Sequence, residues 1–175
     1  MRIFVALSLS PESKQRIHRL QETLKTSGVE GRMLPENSIH LTLRFLGESS
    51  ESEARKVLQV VKNFSESFRP QALKVRGLES MGFKCLCLIL EPSRYLQSLK
   101  DSFDKVLMQN GFKLKREGSL KPHLTLFRGF KENCPIPAIP EEFRDLKIEL
   151  SELNLYMSVQ DETGRSIAYR VLKEI

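Results

Sequence analysis

Two histidines and two threonines carry the chemistry that this chain can do. The tetrapeptide His40-Leu41-Thr42-Leu43 recurs as His123-Leu124-Thr125-Leu126. At ordinary residue frequencies such a tetrapeptide arises by chance roughly once in 10⁵ residues, so a second accidental copy in 175 residues is improbable. The chain has three histidines, and the two copies use two of them. In a strand, residues i and i+2 share a face. His40 and Thr42 then point one way and Leu41 and Leu43 the other, and the second copy repeats the arrangement. Each strand buries leucines behind an imidazole and a hydroxyl. Two such pairs around one cavity suit a phosphate: hydroxyls donate to its oxygens, and imidazoles titrate near neutrality. One imidazole protonated and the other neutral would supply a general acid and a general base with no metal and no cofactor.

The elements that must position these groups repeat as well. The offset from His40 to His123 is 123 − 40 = 83, and the same offset carries Val5 to Leu88, Leu7 to Leu90, Leu24 to Leu107 and Gly28 to Gly111. The pattern is strand, helix, Gly stop, loop, then a strand beginning with His. Two units packed about a pseudo-two-fold axis would bring both His strands to one groove. The expected fold is α+β and bilobal: two antiparallel sheets, helices outside and a central groove, in a single domain of residues 1–175 with units at about 1–80 and 81–175.

Local signals place the elements. Residues 2–8 read as a strand. Ser10-Pro11-Glu12 opens a helix with a capping Ser, a Pro at the first position and an acid in the first turn. Ile17, Leu20 and Leu24 form its apolar stripe, Gly28 ends it, and His18 lies off the stripe with no assigned role. Residues 29–38 form a loop whose Arg32 either reaches a ligand or is a solvated charge. The strand Ile39–Leu46 stops at Gly47. Its Arg44 shares the parity of His40 and Thr42, so it either lines the groove or snorkels at the strand end. Ser50 or Ser52 caps a second helix, striped by Ala54, Val57, Leu58, Val61 and Phe64. Strands over Leu73–Leu78 and Lys84–Leu90 flank a turn at Met81-Gly82-Phe83. Pro92-Ser93 opens a third helix, closed by Asn110-Gly111. Lys113, Lys115 and Arg116 make a basic run, read by itself as a solvated loop. Residues 129–140 form a loop. Strands Leu146–Met157 and Ser166–Leu172 flank a hairpin turn at Asp161-Glu162-Thr163-Gly164.

Composition bounds the partners. The net charge is +6, which favours an anionic partner such as nucleic acid. No apolar run approaches the ~20 residues of a membrane span, and the N-terminus lacks signal-peptide features, so the expectation is a cytoplasmic protein with no membrane partner. Cys85, Cys87 and Cys134 suggest neither a disulfide framework nor a zinc site, and read as buried free thiols.

The paired His-x-Thr-x motifs resemble those of the 2H phosphoesterase superfamily. So do the start Met-Arg-Ile-Phe-Val-Ala-Leu, the stretch Pro-Glu-Asn-Ser-Ile-His-Leu-Thr-Leu-Arg-Phe-Leu-Gly and the segment Lys-Pro-His-Leu-Thr-Leu. Within it, the chain is most similar to the RNA 2′,3′-cyclic phosphodiesterases, also called 2′-5′ RNA ligases, over nearly its whole length. The chain is expected to be a monomer, and the resemblance implies that it acts on RNA or a nucleotide with a 2′,3′-cyclic phosphate end and leaves a 2′-phosphate. It implies His40 as proton donor to the leaving 3′ oxygen, His123 as the acceptor that activates water, and Thr42, Thr125 and Arg128 as phosphate-binding residues. Strict alternation puts Arg128, five residues after His123, on the wrong face; a bulge or strand end at Phe127-Arg128-Gly129 would have to turn it back. Two other functions share the motif pair: a 2′-5′ RNA ligase running the reaction in reverse, and a noncatalytic nucleotide- or RNA-binding module.

Overall fold

The computed structural model of the protein describes residues 1–82, 84–131, 134–160, 162 and 166–175, with Ser166 and Ile167 described in backbone only. In chain order the elements are β1 (Arg2–Leu9), α1 (Pro11–Thr26), β2 (Arg32–Met33), β3 (His40–Glu48), α2 (Glu51–Ser65), β4 (Gln71–Met81), β5 (Cys85–Leu90), α3 (Arg94–Gln109), β6 (His123–Arg128), β7 (Lys147–Gln160) and β8 (Ser166–Val171). Two short 3₁₀ turns, Glu36–Ser38 and Glu141–Phe143, lead into β3 and β7. Phe83 and most of the turn expected at 161–164 lie outside the described residues.

The helices begin and end where side-chain chemistry dictates. The Ser13 amide donates to the Ser10 hydroxyl at the start of α1, and the Leu96 amide does the same to Ser93 at the start of α3. Ser50 and Glu53 form a full capping box on α2, which satisfies amides that would otherwise have no partner. Gly28 and Gly111 close α1 and α3 at φ +97° and +86°. The amides just beyond them, Val29 and Phe112, reach back to the carbonyls of Leu24 and Leu107. The repeat is thus visible in the hydrogen bonds of both helix ends.

All described strand pairs are antiparallel, in the order β2-β6-β5-β4-β7-β1-β3 with β8 beside β7. β1 pairs with β3 and β7, and β5 pairs with β6 and β4. Each repeat therefore takes its third strand from the other half of the chain, since β4 precedes β5 and β7 follows β6. β4 also joins the two sheets, its first residues Gln71–Lys74 pairing with β7 and the rest with β5. The ends of the path curl together, so β3 and β6 face one another.

The register corrects one expectation. Leu7 pairs with Leu41, and Leu88 with Leu124, so the structural mate of Leu7 is Leu88, an offset of 88 − 7 = 81. The 83-residue offset holds from β3 to β6 and for the helix ends; the first strands are shifted by two residues, which preserves their faces. Leu41, Leu43, Leu124 and Leu126 are all 2% exposed or less. Burial at about 1.5–3 kcal/mol per leucine holds the register, because a one-residue slip would turn the leucines out and the histidines in.

Candidate active site

A cavity of about 80 Å³ lies between β3 and β6, lined in part by His40, Thr42, His123, Thr125 and Arg128. A water in the liquid occupies about 30 Å³, so the space is on the scale of one phosphate group. All five residues expected at the site from sequence line it.

The two imidazoles are held in the same way. His40 Nδ1 lies 2.8 Å from the Ser38 carbonyl, and His123 Nδ1 lies 2.8 Å from the Lys121 carbonyl, each two residues upstream. A carbonyl can only accept, so Nδ1 carries the proton and donates. The free Nε2 of each ring is left for the cavity. Pro122 keeps the chain extended before His123, and the 3₁₀ turn ending at Ser38 does the corresponding work before His40.

Beyond this the surroundings differ. His40 is packed among aromatic rings: Phe4 at 4.8 Å, Tyr156 at 5.3 Å and Tyr169 edge-on at 4.9 Å between centroids. Burial pushes its pKa from 6.5 down to about 4; the Ser38 hydrogen bond opposes this, and Arg128 and then His123 add to it. The free site therefore holds His40 neutral. Tyr169 also lies under the Arg128 guanidinium, 5.2 Å from its ring centroid, a cation–π contact that joins the two halves of the site. The Thr125 hydroxyl is 3.7 Å from the Cys87 sulfur, and burial pushes that thiol up to about 11. Cys87 is thus an unreactive packing partner at these pH values.

Arg128 reaches the cavity through a bulge. Cys87 pairs with Thr125 but Leu86 with Phe127, so Leu126 is the extra residue. Leu126 and Phe127 are consecutively buried and Arg128 returns to the polar face. The bulge lies one residue before the segment expected to provide it. Gly31 (φ +136°) adds a second constraint: a Cβ there would sit 3.0 Å from the Arg128 carbonyl, so the residue that leads into β2 approaches Arg128 most closely with no side chain. The neighbouring Arg32 is exposed, its backbone pairs with Arg128, and it does not line the cavity.

The same bulge occurs in β3 and corrects the expectation for Arg44. Ala6 pairs with Thr42 but Val5 with Arg44, so Leu43 is extra. Arg44 turns inward, 2% exposed, away from the groove and away from solvent. It donates to the Lys115 carbonyl and pairs with Glu117 at 2.7 Å and Asp104 at 3.4 Å. Phe45 takes the groove-facing position instead. His18 pairs with Glu22 along α1, remote from the cavity lining.

Phe4, Phe45, Tyr156 and Tyr169 are the site residues that sequence reasoning missed. Tyr169 follows the last motif by more than forty residues, and no spacing rule connects them. Phe4 had a signal: it lies two residues before Ala6, on the same face of the strand that must pair with the first His strand.

Residues 7–84 match the family model for LigT-like phosphoesterases. The chain is 28% identical to the RNA 2′,3′-cyclic phosphodiesterase of Methanocaldococcus jannaschii over 182 aligned positions, covering 99% of each. A Thermus thermophilus protein of known structure superposes with a TM-score of 0.75 at 22% identity, over 99% of this chain and 96% of that one. Escherichia coli LigT in its apo form gives 0.68 at 25% identity, over 98% and 94%. Among the described residues, no helix is long and apolar enough to cross a membrane.

Proposed function

We propose that the chain is a LigT-like phosphoesterase that hydrolyses a terminal 2′,3′-cyclic phosphate on RNA to a 2′-phosphate by two-histidine acid–base catalysis. The observation that carries this reading is the single phosphate-sized cavity lined by both imidazoles, both hydroxyls and one guanidinium. The M. jannaschii relative is named for the same substrate.

In this reading the cyclic phosphate sits between the rings. Neutral His123, its Nδ1–H held by the Lys121 carbonyl, takes a proton from water at Nε2. The water oxygen bonds to phosphorus opposite the 3′ oxygen. The bond from phosphorus to the 3′ oxygen breaks, and His40 gives its Nε2 proton to that oxygen. The products are a 2′-phosphate and a 3′-hydroxyl, and proton exchange with solvent resets both rings. Such acid–base help is worth about 10²–10⁴ in rate. Thr42, Thr125 and Arg128 stabilise charge growing on the nonbridging oxygens. The anionic substrate itself supplies the charge that allows His40 to be protonated.

An RNA oligonucleotide ending in a 2′,3′-cyclic phosphate, incubated with the protein in the presence of a chelator, should gain the mass of one water. Phosphorus NMR should then identify a 2′-phosphate end. An unchanged mass, or a 3′-phosphate product, would overturn the proposal.

A further inference from the structure

The pseudo-two-fold symmetry is broken at one informative place. The first groove-facing position after the bulge is Phe45 in β3 and Arg128 in β6, and 45 + 83 = 128. One side of the cavity presents a cation and the other a bare phenyl ring. Phe45 is 62% exposed, the highest value among the exposed large hydrophobic side chains. Leaving such a ring in water forgoes the stabilisation that burial would give it.

The Phe45 ring is a wall shared by two cavities. One is the catalytic cavity. The other is an open cleft of about 590 Å³ between the end of β3, the start of α2 and the loop after α3, lined among others by Lys56, Phe112, Lys113 and Lys115. The carboxylates in that cleft are engaged elsewhere. Glu48 lies 3.6 Å from the N-terminal ammonium, Glu53 accepts from Ser50, and Glu117 pairs with Arg44 and Lys100. Lys113 and Lys115 are exposed, and no described carboxylate pairs with either. The cleft's uncompensated charge is therefore positive. Its loop is also pinned: buried Arg44, the residue next to Phe45, holds the Lys115 carbonyl and Glu117. One bulge thus turns out the ring and, through its neighbour, holds the backbone of the loop that carries the two lysines beside it.

An exposed aromatic face followed by cations on a pinned loop is the chemistry that binds single-stranded nucleic acid: bases stack and phosphates pair. We propose that this cleft is the track for the single-stranded RNA that precedes the reacting nucleotide, with Phe45 as its stacking platform and Lys113 and Lys115 as its phosphate contacts. The assignment rests on the catalytic reading above, which places the RNA end in the adjoining cavity.

The test compares a nucleoside 2′,3′-cyclic monophosphate with a short oligonucleotide carrying the same end. The wild-type protein should show a KM about tenfold lower for the oligonucleotide, rising with salt. The double variant Lys113→Ala/Lys115→Ala should raise the oligonucleotide KM about tenfold and leave mononucleotide turnover within about twofold. Its slope of log KM against log salt should fall by about 1.4, at about 0.7 per phosphate contact. Arg19→Ala/Lys25→Ala on α1, with the same loss of net charge, should leave the oligonucleotide KM unchanged. Phe45→Leu should raise it about tenfold and Phe45→Tyr should restore it. Equal effects of the lysine variant on both substrates, no effect on either, or an equal effect of the α1 control would overturn the track. If the wild type turns over neither substrate, the catalytic reading falls and the track is judged by fluorescence anisotropy with a 2′-phosphate-ended oligonucleotide. An affinity not lowered about tenfold by the lysine variant would then overturn it.

Discussion

Inorganic phosphate added to the free protein should raise the pKa of His40 and leave a signature readable in one NMR titration. In the empty cavity burial, aided by Arg128 and His123, holds that imidazole at about 4 rather than 6.5. The gap corresponds to about 3 kcal/mol against the charged form, at about 1.4 kcal/mol per tenfold. A cavity of about 80 Å³ leaves a bound phosphate nowhere to sit but within a few ångströms of Nε2. One negative charge at about 4 Å, with an effective dielectric constant of about 20, favours a cation by about 4 kcal/mol. That exceeds the deficit, so His40 should become protonated near neutral pH once phosphate is bound. The assay follows the ring resonances of labelled protein from about pH 3.5 to about pH 8, with and without phosphate, and His40→Asn provides the assignment. The free protein should show a midpoint near 4, and saturating phosphate should raise it by about 2 or more. A free midpoint within about half a unit of 6.5, or a midpoint that phosphate leaves in place, would refute the reasoning. The sign for stability follows from the same numbers. The unfolded chain takes up this proton before the native one does. Stability from this group is therefore intact above about pH 6.5 and falls progressively toward pH 4, by up to about 3 kcal/mol, which urea unfolding at stepped pH would measure.

Other outcomes follow from single side chains. His40→Ala and His123→Ala should each lower kcat by about 10²–10⁴ with unchanged circular dichroism; near-wild-type turnover by either would remove the acid–base roles. Arg128→Lys should lose about 10² in kcat/KM because a point charge cannot replace the guanidinium fork, read by steady-state kinetics on the cyclic phosphate. Arg44→Met removes one of the two buried cations that Asp104 and Glu117 share, leaving them Lys100, and leaves the Lys115 carbonyl without its guanidinium donor. It should cost about 3 kcal/mol, or about 6–12 °C in melting temperature, measured calorimetrically. Gln21 is fully buried, and its amide bridges the carbonyls of Leu34 and Leu126 at 3.0 and 2.8 Å. Gln21→Leu should destabilise by about 1–3 kcal/mol and increase amide exchange at the β6 bulge.

Local rules made much of this protein legible without coordinates. Strand alternation set which faces of the two His strands are polar, because side-chain direction in a strand depends on the chain itself. Ser10, the pair Ser50 or Ser52, and Pro92-Ser93 marked three helix starts, and Gly28 and Gly111 marked two ends, because capping is satisfied within a few residues. The repeated motif announced one site, since two copies of a unit bring equivalent strands together when they pack. What tertiary structure decided is every feature that depends on a partner strand. A bulge exists only relative to the strand it pairs with, so Leu43 and Leu126 could not reveal themselves as extra residues. Their bulges sent Arg44 into a buried charge network, Phe45 to the rim and Arg128 to the cavity that both histidines line. The difference between the two histidines likewise comes from packing: Phe4, Tyr156 and Tyr169 reach His40 from three separate strands, and no motif spacing encodes which ring will be buried.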